Sequence, residues 1–394
     1  MSTPFFLLLM GILMKAERDN LCLFIDCRLL CGMRRIRVGR TYVLFRTDHE
    51  GGDMNFRLIF SNDWCAVRRY CAVFAVFIFG FHGLPVSAKA SQPQTFEAWR
   101  TELRNEALSK GITATVFDTA FSGAQPIERV IELDRRQPEF TMTLETYLSK
   151  VVSGTRVKKA RQKLSEHKQI LAEVSEKFGV QPRFIVALWG IETNFGQHTG
   201  GFSVIAALAT LAYDGRRSAY FRGELLNALK IIQDGHITAA NMKGSWAGAM
   251  GQSQFMPSSF LNYAFDYDQD GKRDIWSTRK DVFASIANYL SSVGWRDDIT
   301  WGREVSLPQT LNGKALSDKK TVKRISEWQR LGLRLPDGGD LPTRDLKARL
   351  VVPDRGKGRA FLAYANYDNI LKWNRSNFFA IAVGSLADQI DAFE

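Results

Sequence analysis

With 394 residues and a formal net charge of +12, the chain is long enough for two or three domains, and its first 90 residues differ in character from the rest. All five cysteines (Cys22, Cys27, Cys31, Cys65, Cys71) fall in that stretch, which excludes a disulfide or a thiolate site beyond residue 71. Five scattered histidines (His49, His82, His167, His198, His236) show no H-E-x-x-H or comparable spacing, which argues against a zinc hydrolase.

In chain order, Arg68 and Arg69 precede an uncharged apolar run from Tyr70 to Leu84, followed by Val86-Ser87-Ala88-Lys89-Ala90. A charged n-region, an h-region and an A-x-A site predict cleavage after Ala90 and export, to the periplasm. The run is short of the roughly 20 residues of a membrane helix, and Cys71 follows Arg-Arg-Tyr rather than the small apolar residues of a lipoprotein signal. Met54 would open a signal of ordinary length, making residues 1–53 an extension from a misassigned start; an uncleaved membrane anchor is the alternative. Residues 1–90 carry 12 Lys/Arg against 7 Asp/Glu, leaving +7 for residues 91–394. A moderately basic exported chain suits an anionic polymer such as a bacterial cell wall. No nucleic-acid-binding motif is present.

Residues 95–122 and 155–178 show apolar positions three and four apart, predicting helix, with Gly179 as a stop. Pro182 opens a more apolar helix, PRFIVALWGIET. Val204–Ala212 is apolar almost all round and predicts a buried helix, and YDGRRSAYFRGELLNALKIIQ an amphipathic one. Short helices are expected over 257–265 and 281–293. From Trp301 to Leu362 short alternating runs broken by Pro and Gly predict a small strand-containing lobe before a final helix, 377–393. The fold class is thus mainly α (α+β). The expected organisation is an extension and signal over 1–90, a helical lobe over 91–180, a core over 181–300, an α+β insert over 301–362 and a C-terminal helix over 363–394.

Two segments carry chemistry. IVALWGIETNFG, residues 185–196, sets Glu192 near the C-terminal end of an apolar helix. Apolar surroundings and the negative end of the helix dipole both disfavour the carboxylate, which suits a general acid able to protonate a glycosidic oxygen. An ordinary helix-end glutamate is the bland alternative. GSWAGAMGQSQFMPSSF, residues 244–260, offers Gly244, Gly248 and Gly251 for close backbone approach, and Ser245, Gln252, Ser253 and Gln254 for hydrogen bonds to sugar and acetamido groups. A glycine-rich packing seam reads equally well from that segment alone. Trp189, Trp246, Tyr289 and Trp373 suit either sugar stacking or the core.

Asp266, Asp268, Asp270, the Lys272 carbonyl and Asp274 match the first nine positions of a calcium-binding EF-hand loop, with Gly271 at the turn. Position 12 is Ser277, so Asp281 is the candidate closing ligand of a longer loop. Carboxylates crowded into nine residues repel unless a cation offsets them, which favours structural Ca2+ over a solvated acidic turn.

WGIETNFG, LATLAYDGRRSAYFRGEL, GSWAGAMGQSQFMPSSF, the acidic loop, ANYLSSVGW and WNRSNFFAIAVGSLAD occur in one order from about residue 95 to the C-terminus. In this the chain resembles the lytic murein transglycosylases of the membrane-bound type B group. The resemblance implies a lysozyme-like catalytic core within a larger helical structure. It further implies cleavage of the N-acetylmuramic acid–β-1,4–N-acetylglucosamine bond of peptidoglycan, with attack by the muramyl C6 hydroxyl to leave a 1,6-anhydro ring. Glu192 matches the family's single acid and base. A retaining glycosidase would need a second carboxylate about 5 Å away, and none stands out. By the same resemblance Ser245, Gln254, Tyr289, Asn374 and Tyr147 match substrate-binding positions, and Arg216 and Arg217 an arginine pair suited to peptide or lactyl carboxylates. Trp373 and Phe379 stand where many relatives carry tyrosine, which keeps stacking and removes the phenol hydroxyls. Glycan strands are the expected partner, with cell-wall synthesis or division proteins as further candidates; a monomer and no organic cofactor are expected. A lysozyme-like hydrolase and a non-catalytic wall-binding scaffold are the competing readings.

Overall fold

The computed structural model describes residues 12–17, 20–25, 42–50, 53–61, 95–136, 142–354 and 356–391. Backbone contacts divide the chain between Ala90 and Ser91. In the first unit β1 (Ile12–Glu17) pairs antiparallel with β2 (Asn20–Ile25), and β3 (Tyr42–Glu50) with β4 (Asp53–Ser61), whose register ends at Glu50 opposite Asp53. Met54 lies in β4. The apolar run from residue 70 to 84 and the expected cleavage site fall outside the described residues.

The second unit opens with α1 (Phe96–Ser109) and α2 (Ala114–Ala120). The apolar period over 95–122 is interrupted here: Gly111 takes φ +84°, and the Thr113 side chain then accepts the Val116 N–H to start a new helix. Next come α3 (Glu128–Arg135) and α4 (Leu144–Val151), which the sequence pattern did not announce. The helix expected over 155–178 is also two, α5 (Gly154–Glu166) and α6 (Lys168–Phe178). They meet at His167, whose ring is drawn into the core, edge-on to Trp189 at 5.8 Å and Phe283 at 5.3 Å. Gly179 ends α6 in the left-handed conformation, as its position predicts.

The central element is α7 (Pro182–Thr193), with Pro182 in its first turn and every residue from Phe184 to Gly190 buried. A helix apolar all round belongs in the middle of its domain. The short strand β5 (Phe202–Ser203) leads to α8 (Val204–Asp214), capped by the Ser203 side chain and buried from Val204 to Ala212. α9 (Ser218–Gln233) packs against it. β6 (Lys243–Gly244) pairs with β5, and α10 (Pro257–Tyr263) follows. Buried Glu224 of α9 caps α10 by accepting the Ser258 N–H at 2.8 Å and its hydroxyl at 2.6 Å. α11 (Arg279–Ser292) packs on α6 and α7.

The strand-containing lobe holds β7 (Gly302–Val305), α12 (Gly313–Leu316), β8 (Val322–Arg324), α13 (Ile325–Arg330), β9 (Lys347–Val351) and β10 (Ala360–Ala363). Its antiparallel sheet has the order β7-β10-β9-β8 and a core of its own around Trp328, Leu350 and Leu362. The single C-terminal helix expected over 363–394 is two, α14 (Ala365–Trp373) and α15 (Asn377–Asp391), separated where Asn374 Oδ1 accepts the Ser376 N–H. α15 lies along α7. Trp301 ties the lobe to α15: its indole lies on Gly384, where a Cβ would stand 2.2 Å from the ring, and its Nε1 donates to Asp388 at 2.8 Å. The second unit is therefore mainly helical, with one small sheet between its central and terminal helices.

Candidate active site

The apolar run that buries α7 stops at Ile191, so Glu192 is the first acidic side chain to leave the core and is partly exposed. The helix ends in a Schellman arrangement, with the Phe195 N–H donating to the Trp189 carbonyl and the Asn194 N–H to that of Gly190. Asn194, Phe195 and Gly196 take φ of 51°, 63° and 81°. Successive left-handed residues that are not glycine are uncommon and mark a turn held by its surroundings. Thr193, wholly buried, does much of the holding: its hydroxyl donates to the Gln252 carbonyl at 3.0 Å and accepts the Gly196 N–H at 3.0 Å.

Glu192 Oε1 accepts a 2.7 Å hydrogen bond from Trp373 Nε1 at the end of α14. The Trp373 ring is set by Tyr289, centroids 4.7 Å apart, and Phe255, 5.1 Å apart. Burial pushes the Glu192 carboxyl up to about 7, against the opposing pull of the indole N–H. No charged neighbour figures among these influences. An acid poised near neutrality serves equally as proton donor and, once ionised, as acceptor. The indole thus supplies a hydrogen bond that the exchange of tyrosine for tryptophan seemed to remove. Phe379, by contrast, is a buried core residue of α15.

The second segment folds as tight turns joined by bridges between Gly244, Met250 and Phe255. Ser245 Oγ accepts the N–H groups of Ala247 and Ala249, leaving its own proton to donate. Gln254, at φ 50°, donates through Nε2 to the carbonyls of Thr199 and Gly251, which leaves its amide oxygen as an acceptor. Both residues border the stretch that follows the Glu192 turn. The neighbouring expectations need correcting. Gln252 and Ser253 are buried, with 3% and 0% exposure, and do not face a ligand. Close backbone approach is real but internal: Gly251, at φ 63°, has the Ile275 carbonyl 2.6 Å from where a Cβ would sit. Trp189 is core, edge-on to Phe283 and Phe195. Tyr289 is only 7% exposed, and burial pushes its hydroxyl up to about 12.

Arg216 and Arg217, at the start of α9, both hold Asp134 of α3: Arg216 Nε reaches Oδ2 at 2.6 Å and Arg217 Nη2 binds Oδ1. The Arg216 hydrogen bond, helped by Arg217, keeps the Asp134 carboxyl below its ordinary range despite burial. Both arginine side chains stay about half exposed, at 51% and 42%. Beside them Tyr220 is 50% exposed. Tyr147 of α4 packs on Phe378, ring centroids 5.8 Å apart, which brings it to the C-terminal segment that carries Asn374, an exposed residue.

In the acidic loop Asp266, Asp268 and Asp270 bring carboxylate oxygens within 4.8 Å of one another. The other candidates have different partners. Asp281 is fully buried and accepts the N–H groups of Tyr267 and Asp274, both at 2.8 Å. Burial pushes its carboxyl up to about 6. Asp274 accepts from the N–H groups of Trp276 and Ser277 and from the Ser277 and Thr278 hydroxyls. Lys272 donates its N–H to Asp270.

The family model described as Transglycosylase SLT domain matches residues 95–388. The chain belongs to that family. It is 34% identical to membrane-bound lytic murein transglycosylase B of Escherichia coli over 232 residues, 57% of this chain and 61% of the relative, so the match spans less than two thirds of that protein. Among solved structures it is similar to Pseudomonas aeruginosa SltB3 in complex with NAG-anhNAM-pentapeptide, with 45% identity and a TM-score of 0.73 over 76% of this chain and 80% of that one. It is also similar to the E. coli lytic transglycosylase Slt35 in complex with calcium, with 28% identity and a TM-score of 0.65 over 77% and 95%. The lysozyme-like transglycosylase fold expected from the motifs is therefore present.

Within this SLT-family fold, sequence reading passed over Thr193 and Asp134, and took Gln252 for a sugar contact. Each is a buried polar residue with every contact inside the protein. Polar type at a core position is the only signal they give, and it appears once the fold is known.

Proposed function

We propose that the protein is a lytic murein transglycosylase that cleaves the N-acetylmuramic acid–β-1,4–N-acetylglucosamine bond of peptidoglycan and leaves 1,6-anhydro-muramyl ends. The observation that carries this reading is Glu192, held by Trp373 with its carboxyl raised to about 7. The protonated carboxyl gives its proton to the glycosidic oxygen as the C1–O4 bond breaks. The carboxylate then takes the proton of the muramyl C6 hydroxyl as O6 bonds to C1, which restores the acid and consumes no water. One carboxyl suffices because the nucleophile belongs to the substrate. The complex of SltB3 with an anhydro-muramyl pentapeptide supports this choice over hydrolysis.

Ser245 and Gln254 offer a hydroxyl donor and an amide acceptor to the sugar beside Glu192, with Tyr289, Tyr147 and Asn374 as further binding positions. Arg216 and Arg217, presented by Asp134, suit the carboxylates of the peptide stems. Asp266, Asp268 and Asp270 would hold calcium, for which clustered carboxylate oxygens are the fitting donors. Bound there, the ion offsets their repulsion and fixes the loop; calcium in the Slt35 complex supports this assignment. The reading places the enzyme outside the cytoplasm, on the wall. Among the described residues no helix is long and apolar enough to cross a membrane.

The test is mass spectrometry of muropeptides released from purified sacculi by the protein and by its Glu192→Gln variant. Anhydro-muramyl ends from the parent and none from the variant are expected. Reducing ends would mean a hydrolase, and no product from the parent would return the chain to a binding role.

A further inference from the structure

Gln252 lies between the helix that bears Glu192 and the end of the acidic loop, and four of its polar groups are engaged. Its amide oxygen accepts the Trp189 Nε1–H at 2.9 Å, and its carbonyl accepts the Thr193 hydroxyl at 3.0 Å. Trp189 and Thr193 stand on either side of Glu192 on α7. In the other direction the Gln252 N–H donates to the Ile275 carbonyl at 2.8 Å, and its side-chain amide donates to the Trp276 carbonyl at 2.6 Å. Its side chain is also the wall against which Gly196 turns: a Cβ at Gly196 would stand 2.3 Å from Gln252 Oε1.

From this geometry we infer that Gln252 is a positioning residue for Glu192, locking the last turn of α7 in rotation and register against Ile275–Trp276. The inference rests on the catalytic role proposed for Glu192. Trp189 is the i−3 neighbour of Glu192 on its helix, and Thr193 the next residue along. Fixing both leaves the last turn of α7 little freedom to rotate, so the carboxyl keeps its approach to Trp373. Glutamine suits the place because one planar group accepts on one side and donates on the other. Only a protonated glutamate, among other side chains of that length, does both. A displacement of about 1 Å in a catalytic group costs on the order of a hundredfold in rate, so a loosened α7 end should appear in turnover before it appears in substrate affinity.

The experiment compares Gln252→Met and Gln252→Glu with the parent on purified sacculi, recording kcat, KM, the pH profile and the thermal midpoint. Methionine nearly matches the volume and makes neither side-chain bond, so kcat should fall at least tenfold with KM within about twofold. The glutamate variant separates positioning from mere stability. Its protonated carboxyl can accept from Trp189 and donate to Trp276 as glutamine does, whereas its ionised form cannot donate. Activity should therefore recover toward the parent at acid pH and collapse as the introduced carboxyl ionises. Parent-like kcat and pH profile in Gln252→Met would overturn the inference. So would a Gln252→Glu variant that shows no recovery at acid pH although it remains folded there. If Gln252→Met fails to fold, the acid recovery of Gln252→Glu decides alone. Activity retained by Glu192→Gln would instead remove the catalytic reading itself, and that outcome is independent of both Gln252 variants.

Discussion

Replacing Trp373 by phenylalanine keeps an aromatic ring against Tyr289 and Phe255 and deletes the N–H that reaches Glu192 Oε1 at 2.7 Å. A hydrogen bond to a charged group contributes about 1.5–3 kcal/mol, and one pKa unit corresponds to about 1.4 kcal/mol. The Glu192 side chain is partly exposed, so the lower figure applies, and its carboxyl should rise by about one unit from its value of about 7. The direction follows from the chemistry: the indole favours the carboxylate, and without it burial acts unopposed. Because the first step needs the protonated acid, the alkaline limb of kcat/KM should move up by about one unit. Maximal kcat should fall several-fold, since nothing then orients the carboxyl. Muropeptide release from sacculi, followed from about pH 5 to 9, measures both. An alkaline limb that stays in place or moves down would show that Trp373 does not govern the ionisation on which turnover depends.

Glu192→Gln should stabilise the fold in alkali: a carboxyl raised from 4.5 to about 7 makes the folded protein lose stability as pH climbs through that interval, and the full cost persists above it. Discounted for the partial exposure of Glu192, the gain is about 1–2 kcal/mol near pH 8 and none near pH 4, read from thermal midpoints. Asp268→Asn should abolish the calcium-dependent rise in thermal midpoint, which for the parent corresponds to about 2.7 kcal/mol at a hundredfold excess over Kd; a parent that ignores both calcium and chelator would sink the cation assignment. Asp134→Ala releases Arg216 and Arg217 from their shared carboxylate and should weaken binding to peptide-bearing glycan while leaving peptide-free glycan unaffected, as isothermal titration would show. Equal losses on both ligands would mean that the arginines do not read the stem.

How far the site could be read in advance depended on the kind of residue. Glu192 was visible because an acidic side chain ends an otherwise apolar helix, and the acidic loop because its ligands and glycine recur at fixed intervals. Ser245 and Gln254 were indistinguishable by type from Gln252 and Ser253. Only the alternation of tight turns, set by glycines that press on Leu208 and Ile275, decides which of the four point inward. The lengths of the helices were misread where one side chain redirects the chain: His167 turns into an aromatic cluster, and Thr113 caps a new helix after Gly111. The strand lobe was legible from its alternation and its Pro/Gly breaks. The Trp373 contact was beyond reach, since it joins positions 181 residues apart.

That separation bears on how the molecule comes into being. A chain made from its N-terminus presents Glu192 long before it presents Trp373, and α15 reaches α7 only after the strand lobe has been made. The Glu192–Trp373 contact therefore forms late, after α14 has arrived. A nascent chain, or one truncated before Trp373, carries Glu192 without the indole that holds its carboxyl, so the pair is completed only once α14 has been made.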